Sequence, residues 1–203
     1  ETAEMPGTYE KGKFDIAGFA VGIVDDKNIL QKSKIKKNDL ILAIPSSGLH
    51  SNGFSLVRNI MKKKKINLKK NNFLKKELIK PTKIYVNEVV NLINKNLLNG
   101  CANITGGGIS ENIKRVIPDN FCASINLNKI NTLKIFKWLK RNNISDKEML
   151  KTFNCGVGFC LIIDPKNLEK IKNFFSKKYE PYVIGKIIYG PNKIKLNDKI
   201  NWR

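Results

Sequence analysis

LILAIPSSGLHSNGFSLVRNIM, residues 40–61, passes through three kinds of sequence in direct succession. Residues 40–44 (LILAI) are apolar without a break, as expected of a strand covered on both faces. Residues 46–53 (SSGLHSNG) are small, polar or flexible except for Leu49. Phe54, Val57, Ile60 and Met61 then recur at helical spacing. A strand, a glycine-bearing loop and a helix therefore follow one another, and the loop stands where a helix start presents unpaired backbone N–H groups.

The pattern extends in both directions. Upstream, FDIAGFAVGIV (14–24) predicts a buried strand closed by Asp25-Asp26, and the lysine-rich residues 32–38 predict a domain boundary. Downstream, KKKKINLKKNN (62–72) predicts an exposed charged stretch. A second helix is expected from Pro81 or Thr82, with Val86, Val89, Val90, Ile93 and Leu97 on one face and Gly100 as its stop. A short strand CANI (101–104) leads to Thr105-Gly106-Gly107-Gly108 and a helix through Val116. FCASINL (121–127) reads as a strand, and TLKIFKWLK (132–140) as a helix burying Leu133, Phe136 and Leu139. Ser145 and Glu148 have capping-box spacing, so a further helix opens at Ser145. VGFCLII (157–163) is a strand, a helix follows Asp164-Pro165, and YVIGKIIYG with NKIKL predicts a closing hairpin. Strands and helices mix without regular alternation, which points to an α+β fold, a layered α/β domain with a mixed sheet.

Composition narrows the function. With 203 residues and 41% hydrophobic content the chain has enough apolar side chains for a core. A formal charge of +21 raises the question of nucleic acid. Only Arg58, Arg115, Arg141 and Arg203 among the 38 basic residues are arginine, however, and the lysines travel with Asn and Ile along the whole chain. That is the signature of A/T-rich codons rather than of an Arg-rich recognition surface. There is no run of 18 apolar residues and no signal-peptide pattern in residues 1–20, so a soluble, cytoplasmic chain with no membrane partner is expected. Cys101, Cys122, Cys155 and Cys160 form no CxxC pair and His50 is the sole histidine. Reduced thiols are expected rather than a zinc site.

Two loops carry the chemistry. In residues 46–53 the glycines allow close backbone approach, while Ser46, Ser47, His50, Ser51 and Asn52 supply polar groups beside a helix start. Thr105 to Gly108 repeats the arrangement with a barer backbone. Both suit a phosphate, although such a turn is more often just a tight turn, and neither matches a Walker loop or GxGxxG. His50 reads either as a general acid/base or phosphate donor, or as a hydrogen-bonded residue that shapes the turn. Glu1 and Glu4 offer hard oxygens for Mg²⁺ or form a solvated carboxylate pair.

In order and spacing, ETAEMPGTY, FDIAGFAVGIV, IPSSGLHSNGFSLVR, KPTKIYV, ITGGGISENIKRVIP, EMLKTFNCGVGF and YVIGKI resemble successive blocks of the aminoimidazole ribonucleotide synthetase family, also called phosphoribosylformylglycinamidine cyclo-ligase. The resemblance runs from Glu1 to about Gly190. It departs from the family at Asn38, where glycine is usual, at Lys114, where the usual residue is neutral, and near Pro181, where a small or acidic residue is usual.

The resemblance implies a C-terminal domain of the PurM type over residues 39–203, a linker at 32–38, and at 1–31 the end of an N-terminal ATP-binding domain that includes a remnant strand. It also implies ATP-dependent ring closure of formylglycinamidine ribonucleotide, with ATP and Mg²⁺ as cofactors. Glu1 and Glu4 would lie near Mg²⁺-ATP, and His50 and Asn52 would contact the reacting groups. Ser46, Ser47, Gly48, Thr105, Gly106, Gly107 and Gly108 would hold phosphate. The implied partners are the nucleotide substrate, the rest of the N-terminal domain or a second chain, and a second copy in a homodimer. The alternatives are a non-catalytic remnant of such an enzyme and, from a different class, a basic nucleic-acid-binding domain.

Overall fold

Strand β1 (Leu40–Pro45) is apolar at every position because it lies inside the sheet with a layer on each face. The computed structural model describes residues 18–191 and 193–202. The sheet is completed by β2 (Gly100–Asn103), β3 (Phe121–Asn126), β4 (Val157–Ile163), β5 (Tyr182–Tyr189) and β6 (Ile194–Asn197), in the order β2-β4-β1-β5-β3-β6. Every pairing is antiparallel except β3 with β6, which is parallel, so the sheet is mixed. Leu42 stands opposite Leu161 on one side and Val183 on the other.

Alternation along the strands divides the core. Ile41, Ala43, Ile162, Ala123, Ile125 and Ile187 face a layer made by α1 (Phe54–Lys63), α2 (Asn72–Leu78), α4 (Gly108–Lys114), α5 (Lys134–Lys140) and α6 (Asp146–Thr152). The fully buried rings of Phe136 and Phe153 meet there in a tilted pair 6.1 Å apart. Leu42, Ile44, Leu161 and Ile163 face α3 (Val86–Asn94) and α7 (Leu168–Lys172). This second layer draws on β1, β2, β4 and β5 but takes nothing from β3 or β6, so among the described residues part of that face has no helix over it. Ser145 caps α6 by accepting the Glu148 N–H at 3.2 Å, as its spacing predicts.

Three local expectations change, and one helix not expected from the sequence, α2, appears. Residues 18–24, the described part of the expected N-terminal strand, form no strand and are exposed, with Phe19 at 94% and Ile23 at 100%. No strand among the described residues pairs with them, and an apolar run alone supplies no ladder. Helix α3 starts at Val86 rather than at Pro81 or Thr82, and the Pro81 carbonyl instead accepts a hydrogen bond from Ser47 Oγ at 2.7 Å. Its buried stripe is Val89 and Leu92, while Val86 and Val90 face outward. Inside the charged stretch after α1, Asn71 caps α2 by accepting the Leu74 N–H at 2.9 Å. The expected hairpin is absent: β5 and β6 do not pair, and β3 lies between them.

Residues 35–39 are tied to this domain. Ile35 is buried, the Asn38 N–H donates to Ile187 O at 2.9 Å, and Asp39 Oδ2 accepts from the Lys36 N–H and from Asn99 Nδ2. Asn38 has φ 70°, in the left-handed region that glycine prefers and asparagine tolerates. The departure from glycine here is therefore one the backbone accepts.

Candidate functional site

β1 and β2 are both antiparallel to β4, so they run in the same direction. Their C-terminal ends and the N-terminal end of β4 consequently reach one edge of the sheet. Three turns gather there: residues 46–53 after β1, 104–108 after β2, and 153–156 before β4. The first two are the loops expected to carry chemistry, and they meet, since a Cβ built on Gly106 would stand 3.3 Å from Asn52 Oδ1.

The third turn supplies the clamp. Asn154 is buried and uses its whole amide. Its Oδ1 accepts from Ser46 Oγ at 3.0 Å and from the Gly156 N–H at 2.9 Å, while its Nδ2 donates to Gly48 O at 3.0 Å and Leu49 O at 3.3 Å. Asn112 on α4 does the same for the second loop. Its Oδ1 accepts from Thr105 Oγ1 at 3.2 Å, and its Nδ2 reaches the carbonyls of Thr105, Gly106 and Gly108, the last at 2.7 Å. Two glycines let the loops close onto this turn: Gly53 (φ 81°) and Gly108 (φ 62°) occupy left-handed backbone, and a Cβ on either would overlap the Phe153 ring or Leu150 O.

These contacts sort the expected site residues. Ser46, Gly48 and Gly108 are buried and form the frame. Ser47 is half-buried, its hydroxyl committed to Pro81 O. Ser51, Thr105 and Gly106 are exposed, and Asn52 and Gly107 are half-buried, so these are the loop residues open to solvent. Helix α1 begins immediately beyond, and its first N–H groups have no acceptor within the helix.

His50 sits under the loop with φ 58°, and its Nε2 accepts the Ser47 N–H at 3.2 Å. Burial pushes its pKa below the ordinary value, so the ring is neutral near pH 7 and carries its proton on Nδ1. Tyr85 stands beside it with ring centroids 6.2 Å apart and donates its hydroxyl to Pro45 O at 2.9 Å. Burial holds that hydroxyl well above its ordinary pKa. Gly158 makes room for both: a Cβ there would overlap the Tyr85 hydroxyl oxygen and lie 2.8 Å from His50 Cε1. An apolar groove of about 330 Å³ opens on the far side of Tyr85, bordered by Thr82, Val86, Val90, Asn103 and Phe159.

Asn154, Asn112, Tyr85 and Gly158 escape a reading based on which side chains look reactive. The one hint of Asn154 is an amide beside Cys-Gly at the entrance to an apolar strand. Glu1 and Glu4 lie outside the described residues. Among the described residues no three His, Cys, Asp or Glu side chains gather to hold a metal ion, and no step is assigned to one. The four cysteines are free, with burial pushing the Cys155 thiol up to about 12. No described helix is long and apolar enough to cross a membrane.

A mixed six-stranded sheet layered by helices, with two glycine-bearing strand-to-helix loops clamped at one edge, defines an α+β domain whose open loops suit an anionic ligand. The family described as AIR synthase related protein, C-terminal domain, matches residues 36–196, and the chain belongs to it. It is 46% identical over 203 residues to a phosphoribosylformylglycinamidine cyclo-ligase of Prochlorococcus marinus (strain MIT 9312), covering 93% of this chain and 56% of that protein. It is 41% identical over 198 residues to the enzyme of the same name from Streptococcus pneumoniae (strain Taiwan19F-14), covering 95% and 58%. The chain thus spans somewhat more than half the length of the curated relatives it matches.

Among solved structures, a thiamine-monophosphate kinase from Stenotrophomonas maltophilia K279a shares the fold at 12% identity and a TM-score of 0.59, covering 88% of this chain and 56% of that one. The PurL protein of T. maritima complexed with ATP does so at 10% identity and a TM-score of 0.52, covering 83% and 24%.

Proposed function

We propose that this chain supplies the C-terminal domain of a phosphoribosylformylglycinamidine cyclo-ligase, with residues 1–31 ending the preceding ATP-binding domain and residues 32–38 leading into the C-terminal one. The observation that carries the reading is the meeting of the two glycine-bearing loops at Asn52 and Gly106, each loop held by its own buried asparagine, Asn154 from the turn before β4 and Asn112 from α4. In the reaction, a phosphoryl group from ATP turns the formyl amide oxygen of formylglycinamidine ribonucleotide into a leaving group. A nitrogen of the amidine end then closes the imidazole ring, giving ADP and phosphate.

The chain's own contribution is positioning and charge stabilisation. Backbone N–H groups at Gly106, Gly107 and the start of α1, with the Ser51 hydroxyl, hold phosphoryl oxygens, while Thr105, whose hydroxyl donates to Asn112 Oδ1, fixes the second loop. Asn52 orients the reacting amide. His50 acts as a neutral imidazole; because Nε2 is occupied by the Ser47 N–H, any proton it exchanges with a ligand passes through Nδ1. The apolar groove beyond Tyr85 takes an uncharged part of the ligand.

Aminoimidazole formation from the amidine substrate and ATP is the test. The chain alone is expected to be inactive, and co-expression with the N-terminal domain of a relative is expected to restore turnover. Turnover by the chain alone would refute the division of labour, and no turnover in a correctly assembled pair would refute the activity.

A further inference from the structure

The uncovered face of β3, β5 and β6 lies away from the loops and has a consistent chemistry. Ser124 is paired with Lys186 on β5 and with Lys195 on β6, so the three form one row across adjacent strands about 4.8 Å apart. Their neighbours Ala123, Ile125 and Ile187 belong to the core on the opposite face, which puts Lys186, Ser124 and Lys195 on the open one. Beside the row lie Asn126, paired with Asn197, and Lys129 from the turn after β3. The pairing of β1 with β5 slips between Ile41 and Leu42, leaving Ile184 unpaired. Such a bulge bends its strand, and a groove of about 400 Å³ opens here.

The hydrogen-bonding capacity left in this groove is mainly donor. Asn197 Nδ2 donates to Ser124 Oγ at 2.9 Å, so the Ser124 hydroxyl keeps its proton for an outside acceptor. Asn126 Oδ1 accepts the Asn128 N–H at 2.9 Å, which leaves its Nδ2 to donate. Asn197 Oδ1 is the acceptor that remains, since its Nδ2 is spent on Ser124 Oγ and Ile125 O. Lys129, Lys186 and Lys195 are exposed and form no ion pair among the described residues, in contrast to Lys193, which pairs with Asp119 at 2.9 Å. Lys186 and Lys195 stand two strands apart with Ser124 of β3 between them, which leaves the space over Ser124 open between two positive charges.

We propose that this groove is an oxyanion site, taking inorganic phosphate or the phosphoryl group of a small phosphomonoester. Lys186 and Lys129 flank the anion, the Ser124 hydroxyl and Asn126 amide donate to it, and Lys195, just outside the lining on β6, adds positive charge beside it. The site is separate from the loops at the other edge and does not depend on the activity proposed for them.

Amide NMR of the chain, titrated with sodium phosphate at constant ionic strength and compared with chloride, tests it. Saturable shifts are expected at Ser124, Asn126 and Lys186. The Lys129→Ala/Lys186→Ala double variant, which alters only exposed side chains, is expected to bind about tenfold more weakly or worse, as loss of two charge-assisted contacts implies. A Lys62→Ala/Lys63→Ala variant at the far end of α1 is expected to bind as the parent does. A parallel titration with ribose 5-phosphate separates the sources: tighter binding than phosphate assigns the site to a phosphorylated metabolite, and equal binding assigns it to the free ion. Shifts that rise linearly with salt, match those in chloride, fall equally in both double variants or centre on residues 46–53 would overturn the proposal.

Discussion

Replacing Asn154 by alanine would remove the buried amide that joins the turn before β4 to the loop after β1. Ser46 Oγ, the Gly156 N–H and the carbonyls of Gly48 and Leu49 would all lose a partner. A buried polar group left unpaired costs about 1–3 kcal/mol. Water entering the vacated space would recover some of the four, so with about half unsatisfied the loss is about 3 kcal/mol. In a chain of this size, 1 kcal/mol moves the melting temperature by roughly 2–4 °C, so a fall of roughly 6–12 °C is expected. Asn154→Asp separates hydrogen bonding from packing. It keeps the acceptor for Ser46 and Gly156 but turns a carboxylate oxygen toward two carbonyls. Near neutral pH it should be at least as damaging as alanine. Because burial raises the pKa of such a carboxyl, the folded state would hold a proton that the unfolded state releases, and stability should recover as pH falls through the folded-state pKa. Urea unfolding of both variants at pH 7 and pH 5 measures this. If both stay within about 1 kcal/mol of the parent, the clamp does not hold the loop and the reasoning fails.

Gly158→Ala places a methyl group on the Tyr85 hydroxyl and should cost about 1–3 kcal/mol; adding Tyr85→Phe should return part of it in a double-mutant cycle, and strict additivity would deny the contact. His50 is buried neutral with a lowered pKa, so the unfolded chain takes up a proton first as pH drops below about 6.5. Stability should therefore be unaffected by His50 above that pH and decline below it, by up to about 1.4 kcal/mol per pH unit until the folded-state pKa is reached. His50→Asn, which tolerates the same backbone, should flatten thermal stability between pH 6.5 and pH 5, and an unchanged slope would show that His50 does not titrate there. Titration with duplex DNA at physiological salt should show only weak binding without sequence preference, with dissociation constants of roughly 10⁻⁴ to 10⁻⁶ M. Nanomolar binding to a particular sequence would favour a recognition role for the positive charge.

Local periodicity was legible wherever a segment's pattern and its burial agree. Residues 40–61 fold as strand, loop and helix because the apolar run and the helical spacing are each satisfied by one layer of the core. The same inference fails for residues 18–24, whose apolar composition finds no neighbouring strand among the described residues. It fails more subtly at β5 and β6, where two strands close in sequence invite a hairpin while β3 pairs with both. Strand pairing depends on which partner buries the shared face, and a linear pattern does not contain that information. For the site, the exposed loops were visible as small polar residues flanking an expected strand and helix. The clamps were not, because Asn154 lies 106 residues from Gly48, and nothing local distinguishes an amide that bonds across the fold from one that faces solvent.

The choice of asparagine at both clamps bears on how the loops work. An amide is a donor and an acceptor in one uncharged group, so Asn154 and Asn112 each bond both carbonyls and donors without burying a charge. A carboxylate in the same place would repel the carbonyls and would respond to any anion arriving outside. With neutral clamps the loop geometry does not titrate, and the field at the open edge comes from the backbone N–H groups and the start of α1. Ser46, Gly48 and Gly108 thus shape the site while Ser51, Asn52, Thr105 and Gly106 face outward from a frame already set before a ligand arrives. Preorganised donors of this kind stabilise developing charge without a reorganisation cost at the moment of reaction. His50 conforms to the same logic: as a neutral ring that accepts the Ser47 N–H, it adds no fixed positive charge beneath the loop. Anion affinity at this edge should then be nearly constant from pH 6.5 to pH 8, apart from titration of the anion itself.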